Sequence, residues 1–255
     1  MQKDEKTVSI IIKTHNSDKT LTDTLESVRE FGEIIALDNH STDDTVEILK
    51  EYRTKVIYSD KFELDNAFNQ AIEEAKGNWI LILEDDEIIP QNLILELENY
   101  ISCPKKNKFC VSLNKKVFYL KRELRSLRIK NELKFFKKGY AKPFGNNIFK
   151  IKQSEGKICK LSKGFSKNVC ILKYLQSDIK KSIADILDKN QNILKNTNNF
   201  SHSLVLKPMF EFIYFYFIKL AIFEGRRGFI FSKQKSIQKF ILETMKYEKK
   251  IKDNL

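Results

Sequence analysis

The sequence predicts an α/β fold: a mostly parallel, Rossmann-like sheet flanked by helices, followed by a basic helical extension. In residues 1–100, short β-branched apolar runs alternate with amphipathic helical patterns, which is typical of a parallel sheet with right-handed crossovers. The charge then changes sign, because residues 1–100 contain 10 Lys and Arg against 23 Asp and Glu, whereas residues 101–255 contain 36 against 11. Such asymmetry indicates two surfaces with different roles.

The first hundred residues divide into strands and helices by their periodicity. Uninterrupted apolar runs predict strands buried on both faces, and apolar residues at i, i+4 spacing predict helices that cover them. Strands are predicted at Val8–Ile12, Glu33–Leu37, Lys55–Tyr58 and Trp79–Leu83; helices are predicted after a cap at Ser17 or Asp18, after Ser41–Asp44, and at Asp65–Lys76, where Gly77 ends the helix.

The remaining residues follow a less regular pattern. We predict a helix from Pro90 to Ile101, strands at Phe109–Leu113 and Val117–Leu120, a basic-aromatic loop at Lys134–Gly145 and a lysine-flanked helix at 176–195. Two breaks, a proline after Cys103 and the change of pattern before residue 176, divide the chain into parts at 1–103, 104–175 and 176–255.

One aromatic stretch, Met209–Phe223, predicts a helix that contacts a membrane. It is shorter than the roughly 20 residues that span a bilayer, and Lys207, Arg226 and Arg227 flank it. Basic residues beside an aromatic apolar face are typical of a helix lying in the membrane interface. A helix buried in the core or in a dimer has the same pattern.

Several protein classes are disfavoured by missing motifs. The first strand is followed by no G-x-G-x-x-G, and the chain contains no G-x-x-x-x-G-K-[ST], which disfavours dinucleotide oxidoreductases and P-loop NTPases. The 4 cysteines form no C-x-x-C pair and there are only 3 histidines, so a zinc site or disulfide scaffold is not expected. The N-terminus leads directly into a strand, so no signal peptide is expected.

Four consecutive acids, Glu84 to Glu87, follow the buried strand Trp79–Leu83. Adjacent carboxylates repel one another, and ligand crevices of open α/β sheets form at the carboxyl ends of strands. A hard divalent cation, Mg²⁺ or Mn²⁺, that carries a phosphate would stabilise such a cluster. The alternative is an acidic loop that precedes the helix near Pro90.

Together these motifs resemble the inverting family 2 glycosyltransferases with the GT-A fold, and more closely the lipopolysaccharide-core glucosyltransferase type. Four segments carry the resemblance: Val8-Ser-Ile-Ile-Ile-Lys-Thr-His-Asn16, Leu37-Asp-Asn-His-Ser-Thr-Asp-Asp-Thr45, Asn69-Gln-Ala-Ile-Glu-Glu-Ala-Lys-Gly-Asn-Trp-Ile-Leu81 and Leu83-Glu-Asp-Asp-Glu87. The resemblance implies transfer of a sugar from a nucleoside diphosphate sugar, UDP-linked, to a lipid-linked, lipopolysaccharide or other cell-surface glycan acceptor. Residues 1–103 would bind the donor and residues 104–175 the acceptor.

The resemblance also implies roles for individual residues. It places the metal ligands on Glu84 and Asp86, where the metal would stabilise the departing diphosphate. It places the nucleotide site on Thr14, Asn16, Asp38, Asn69 and Asp85. As alternatives, Asp38 is a turn acid and Asn69 a surface helix residue.

The general base expected from the lipopolysaccharide-type relatives is missing from this sequence. The Val-His-Glu segment of those relatives corresponds to Ile148-Phe149-Lys150 here. Asp86 and Glu87 are therefore the candidate catalytic residues, with Glu87 as the first candidate base and Glu155 as the second. A catalytically inactive relative that binds a partner enzyme is the alternative, and nucleotidyl transfer and nucleic-acid binding through Phe135, Phe136 and Tyr140 are less favoured.

The C-terminal region extends the resemblance to partners and location. Lys207-Pro208 and Glu224-Gly-Arg-Arg-Gly-Phe229 are similar to a family ending that lies at the membrane. The implied partners are the donor, a glycan or glycolipid acceptor, the inner-membrane surface and a second copy in a homodimer, without nucleic acid. The implied location is cytoplasmic, peripheral at the cytoplasmic face of the inner membrane. Low-GC coding bias, which enriches lysine, explains much of the excess positive charge equally well.

Overall fold

The computed structural model describes residues 7–59, 64–102, 109–119, 122–127, 129–143, 149–151, 158–169 and 200–253. The chain forms two compact units, one from Met1–Lys116 with Ile129–Asn168 and one from Val117–Arg128 with Val169–Leu255. The predicted boundary at 103/104 and the predicted helix at 176–195 lie outside the described residues.

A mixed sheet forms the centre of the first unit. Its strands are β1 Val8–Thr14, β2 Glu33–Asp38, β3 Lys55–Tyr58, β4 Trp79–Glu84, β5 Glu87–Ile88, β6 Cys110–Tyr119, β8 Ile129–Lys137 and β11 Ile158–Val169; β7 Arg122–Glu123 pairs with the end of β6, and β9 Ala141–Pro143 pairs with β10 Phe149–Ile151. The strands lie in the order β3-β2-β1-β4-β8-β6-β11-β5. β1 pairs in parallel with β2 and β4, β2 pairs in parallel with β3, and β8 runs antiparallel to both β4 and β6.

Helices cover both faces of this sheet because successive strand residues point to opposite sides. Ile10 and Ile12 lie in one core cluster with Leu21 and Leu25, whereas Ile11 lies in the other cluster. The helices are α1 Leu21–Val28, α2 Thr45–Glu51, α3 Leu64–Glu74 and α4 Gln91–Ser102; α1 and α4 contribute to the first cluster and α3 to the second. The predicted α/β GT-A fold, mostly parallel and flanked by helices, is confirmed.

The strands and the loop predicted between residues 109 and 145 differ from the observed elements. The two strands predicted at Phe109–Leu113 and Val117–Leu120 are one strand, β6, with irregular register after Val111 and after Leu113. The loop predicted at Lys134–Gly145 is wrong in two places, because residues up to Lys137 belong to β8 and Ala141–Pro143 form β9. The residues up to Lys137 form a strand because they pair on both sides, with β4 and with β6.

The predicted end of the third helix also differs. α3 ends at Glu74, and Gly77 instead allows a close approach to β1. A Cβ atom at Gly77 would lie 2.6 Å from the Ser9 nitrogen, and the Gly77 N–H donates to Ser9 Oγ at 2.8 Å.

The second unit is mainly helical. Its helices are α5 Phe200–Ile213 and α6 Gly225–Asp253, joined by a π-helical turn Tyr214–Ile218 and a 3-10 turn Ala221–Glu224. The single helix predicted at Met209–Phe223 is wrong, because Leu220 adopts a left-handed φ of 60° and ends it. Within the described segments, no helix is long and apolar enough to cross a bilayer.

Candidate functional site

The ends of three parallel strands bring the predicted site residues to one edge of the sheet. β1 lies between β2 and β4, so the chain reverses its direction of winding at β1 and β4. The carboxyl ends of strands at such a switch point form the ligand crevice of open α/β sheets. In register, Thr14 of β1 is paired with Asp38, and its neighbour Lys13 is paired with Glu84.

Asp38 is fully buried at the end of β2. Its Oδ1 accepts hydrogen bonds from Thr14 Oγ1 at 2.9 Å and from Ser41 Oγ at 2.5 Å, and its Oδ2 accepts from the Ser41 N–H at 2.9 Å. These bonds satisfy the carboxylate and hold the turn that leads into α2. Asp38 thus shapes the edge of the crevice, and its contact with a nucleotide base stays a prediction.

Asn16 joins the loops that follow β1 and β2. Its backbone has a φ of 50°, a conformation that asparagine adopts more readily than most residues. Its N–H donates to Ser41 Oγ at 2.9 Å, and its Oδ1 accepts from the Thr42 N–H at 2.9 Å. Thr14, Asn16 and Asp38 therefore form one connected group.

A pair of aromatic rings that the sequence analysis missed lies beside this group. Tyr58 ends β3 in register with Asp38, and its ring stacks on His40 with 5.8 Å between centroids and 17° between planes. The Tyr58 side chain is 57% exposed. Its position at the carboxyl end of a strand offers a flat surface on which a nucleotide base can stack.

The acidic turn, which we define as residues 84–87, joins β4 to β5. Glu84, Asp85 and Asp86 are half-buried. Ser17 Oγ donates to Asp85 Oδ2, and Thr24 Oγ1 donates to the Asp85 carbonyl at 3.0 Å. Asp85 therefore fastens the turn to α1 and to the loop before it, whereas its predicted contact with the nucleotide stays a prediction. Asn69, also predicted for this site, is exposed on α3.

Glu87 is fully buried and lies between two lysines. Its Oε2 is 2.9 Å from Lys134 Nζ, and its Oε1 is 3.1 Å from Lys115 Nζ. A general base must reach the hydroxyl that it deprotonates, and a carboxylate with no exposed surface and both oxygens ion-paired does not offer that reach. The structure thus gives Glu87 an anchoring role, and its assignment as the base is a prediction that this geometry does not favour. Glu155 and Ile148 lie outside the described residues.

Glu132 completes this buried group of charges. Its carboxylate lies 3.0 Å from Lys115 Nζ and 3.2 Å from Lys134 Nζ. Burial would lower the pKa of Lys134, but the charges of Glu87, Glu132 and Glu84 outweigh burial and raise it. Burial likewise would raise the pKa of Glu132, but the two lysines lower it. The sequence analysis missed this group, because Lys115 falls between two predicted strands and Lys134 begins the predicted loop; only the structure places them in β6 and β8.

The acidic turn fits a metal ion that arrives together with a phosphate. Glu84 and Asp86, which are two positions apart in the chain, offer the hard carboxylate oxygens that Mg²⁺ and Mn²⁺ prefer. In the described parts of the chain, no group of three or more His, Cys, Asp and Glu side chains could hold a metal ion. Since Mg²⁺ typically takes one or two carboxylates plus substrate phosphates, two protein ligands are sufficient for such a site.

The sequence is similar to those of curated glycosyltransferases from two Bacillus species. The chain is 29% identical over 123 residues to the poly(ribitol-phosphate) beta-glucosyltransferase of Bacillus spizizenii, covering 42% of this chain and 19% of that protein. It is 36% identical over 89 residues to the SPbeta prophage-derived glycosyltransferase SunS of Bacillus subtilis, covering 33% and 21%. The matched segment thus spans about a fifth of the length of these curated relatives.

Solved structures confirm the fold over a longer stretch. Residues 1–349 of S. aureus TarS in complex with UDP superpose with a TM-score of 0.50 at 17% identity, covering 95% of this chain and 91% of that one. The sequence model of Glycosyl transferase family 2 matches residues 9–155, which is more than half of the 255 residues. The chain therefore belongs to glycosyl transferase family 2.

Proposed function

We propose that this chain transfers a sugar from a UDP-linked donor to a glycan or glycolipid acceptor of the cell envelope, with a divalent cation and inversion at the anomeric carbon. The observation that carries the proposal is the acidic turn beside the Asp38 group at the switch point of a family 2 domain. That edge offers two surfaces of different chemistry: buried, hydrogen-bonded polar groups for a nucleoside and half-buried carboxylates for a metal-bound diphosphate.

Each residue of the edge has a role in this proposal. The ring of Tyr58 stacks on the base, while Thr14, Asn16 and Asp38 hold the shape of the nucleoside pocket. Glu84 and Asp86 hold Mg²⁺ or Mn²⁺, which when bound supplies a Lewis acid for the departing diphosphate. Asp85 keeps the turn against α1, so that the two ligand carboxylates stay at the mouth of the crevice.

An acceptor rich in phosphate fits the charge of the chain. Residues 101–255 contain 36 Lys and Arg against 11 Asp and Glu, an excess of positive charge that attracts polyanions. Two relatives, from Bacillus spizizenii and Staphylococcus aureus, are named for poly(ribitol-phosphate), a phosphate polymer. Lipopolysaccharide, the acceptor implied by the glucosyltransferase type that the sequence resembles, is a second acceptor of the same anionic class.

Nucleotide binding tests this proposal. We expect one of UDP, GDP, CDP and dTDP, with UDP favoured, to stabilise the wild type much more with Mn²⁺ than without it, and Asp86→Ala to lose this metal-dependent difference. A ligand at 100 times its dissociation constant stabilises a fold by roughly 2.7 kcal/mol, which a thermal-shift assay detects. Glu98→Ala removes an exposed acid on α4 and serves as the matched control. No shift of the wild type with any of the four nucleotides would sink the proposal.

Turnover distinguishes an enzyme from an inactive relative. Metal-dependent binding of a nucleotide without hydrolysis or transfer of its sugar, over a panel of phosphate-containing and lipid-linked acceptors, would favour the alternative of a binding partner without activity. The observation behind that alternative is the arrangement of Glu87, whose carboxylate is buried between two lysines rather than open to an acceptor.

We further propose that the second unit lies on the cytoplasmic face of the inner membrane. Large apolar side chains are exposed along α5 and the two turns after it, including Phe210 at 60%, Ile218 at 67% and Phe223 at 82%. Lys219 and Arg226 are exposed next to them. A lipid surface with anionic headgroups accommodates both the apolar rings and the cations, whereas the same face in a homodimer would bring like charges together.

Vesicle binding measures this contact. We expect wild type to sediment with vesicles containing phosphatidylglycerol and much less with vesicles of pure phosphatidylcholine. We expect the double variant Phe210→Ser/Phe223→Ser to bind roughly tenfold or more weakly, since each buried Phe contributes about 1.5–3 kcal/mol. Leu95→Ser, an exposed residue of α4, is the control. Equal binding of the double variant would contradict the proposal, and a dimer that the double variant dissociates would assign the face to self-association.

A further inference from the structure

The acidic turn lies against a buried cluster of two lysines and two glutamates, which we call the lysine–glutamate cluster: Glu87, Lys115, Glu132 and Lys134. The side chains of Lys115 and Lys134 are only 7% and 4% exposed, and each contacts both glutamates. Burial of an ammonium group is costly unless it is paired, and here every charge of the cluster has two partners of opposite sign. Such a cluster is not needed for an ordinary loop between two strands.

One oxygen connects this cluster to the backbone of the turn. Glu87 Oε2 accepts the Lys134 ammonium at 2.9 Å and the backbone N–H of Glu84 at 2.9 Å. The side chain of Glu87, the last residue of the turn, thereby hydrogen-bonds to the backbone of Glu84, the first residue. Because Glu84 is a candidate metal ligand, the position of that ligand depends on where Lys134 holds Glu87.

Charge repulsion makes such an anchor necessary. Four adjacent carboxylates raise the energy of any compact arrangement of the turn. The contacts from α1 and from the loop before it act on Asp85, through Thr24 and Ser17, and the Ile89 N–H donates to Ser27 Oγ at 3.2 Å. The two lysines supply positive charge at the end of the turn, where they pair with Glu87.

We propose that Lys134, together with Lys115, is a positioning residue: it fixes the acidic turn through Glu87 so that Glu84 and Asp86 are oriented for a metal-bound diphosphate before the ligand arrives. This inference rests on the proposed function for its ligand, but the geometry it describes is that of the chain alone. It also explains why a buried carboxylate sits beside the candidate ligands without reaching an acceptor.

The first experiment measures Mn²⁺-dependent UDP binding by calorimetry in folded variants. We expect Lys134→Met to weaken UDP binding in Mn²⁺ at least tenfold, with little change in the weaker binding measured without metal, and we expect Lys134→Arg to restore most of the affinity. Lys137→Met is the matched control, because Lys137 lies on the same strand but outside the lysine–glutamate cluster, with its ammonium over the Phe109 ring. Lys115→Met replaces Lys134→Met if the latter does not fold, and full Mn²⁺-dependent affinity in either folded variant would overturn the proposal.

A second experiment needs no ligand. Hydrogen exchange of the Glu84 amide in the protein without nucleotide is expected to accelerate at least tenfold in Lys134→Met and to stay within threefold of wild type in Lys137→Met. Unchanged exchange in Lys134→Met would refute the positioning role. If wild type bound none of the nucleotides, the proposed function would fail, and the exchange rates alone would decide whether the lysines hold the turn.

Discussion

Replacement of Phe135 by alanine is expected to lower the free energy of unfolding by about 3–5 kcal/mol, the range for a phenylalanine removed from a close-packed core. The side chain is fully buried, and its ring stacks on Trp79 with 4.9 Å between centroids and 11° between planes. It lies on β8, which pairs with both β4 and β6, so the cavity would open at the middle of the sheet. Urea denaturation followed by circular dichroism measures the change.

An exposed phenylalanine provides the comparison. Phe210→Ala, at a side chain that is 60% exposed, is expected to change the free energy of unfolding by less than about 1 kcal/mol. If Phe135→Ala cost no more than Phe210→Ala, the ring of Phe135 would not be in the core, and the placement of β8 between β4 and β6 would be wrong.

The parallel half of the sheet was predictable because its strands are buried on both faces. Ile10, Ile11 and Ile12 all face helices, so the sequence shows an uninterrupted apolar run, and such runs are distinctive. The acids that follow these strands were predictable for a related reason: polar residues directly after a buried strand lie at its carboxyl end. That rule located the acidic turn without any knowledge of tertiary contacts, whereas the resemblance to family 2 glycosyltransferases singled out Asp38.

The antiparallel half was not predictable in the same way, and Lys134 shows why. In sequence, Lys134 stands among lysines and aromatic residues and resembles a solvated loop. In the structure it is a buried strand residue, because its partner Glu87 lies 47 positions earlier and is brought near by the pairing of β8 with β4. The rings of Phe135 and Phe136 are fully buried, so they offer no surface on which nucleic-acid bases could stack.

The break in the aromatic stretch had no sequence signal either. A left-handed residue at the end of a helix is usually glycine or asparagine, whereas here Leu220 adopts it with a φ of 60°. The packing of Phe215 and Phe231 on Tyr119 supplies contacts that local sequence does not show.

Loss of Glu87 is expected to have the second large effect on stability. Glu87→Met would leave Lys115 and Lys134 with Glu132 alone, and removal of one partner from a buried ion pair costs about 3–5 kcal/mol. Urea denaturation at pH 7 measures this cost. The double variant Glu87→Met/Lys115→Met removes one charge of each sign and leaves the Lys134–Glu132 pair, so it is expected to be more stable than Glu87→Met by at least about 1 kcal/mol. A double variant less stable than either single variant would refute the electrostatic explanation.

The dependence of this cost on pH separates charge from packing. In the wild type, the pKa of Lys134 is raised above its ordinary value of 10.5, so the stability that its charge contributes is present at neutral pH and is lost only as pH rises through that raised value. Without Glu87, less negative charge opposes the effect of burial, so the pKa of Lys134 is lower than in the wild type. The lysine then loses its proton at a lower pH, and the free-energy cost of burying its charge without Glu87 is lost with that proton. The stability difference between wild type and Glu87→Met should therefore narrow between pH 7 and pH 10. A constant difference over that range would mean that Glu87 stabilises the fold by its shape alone, and the lysines would then have no electrostatic hold on the acidic turn.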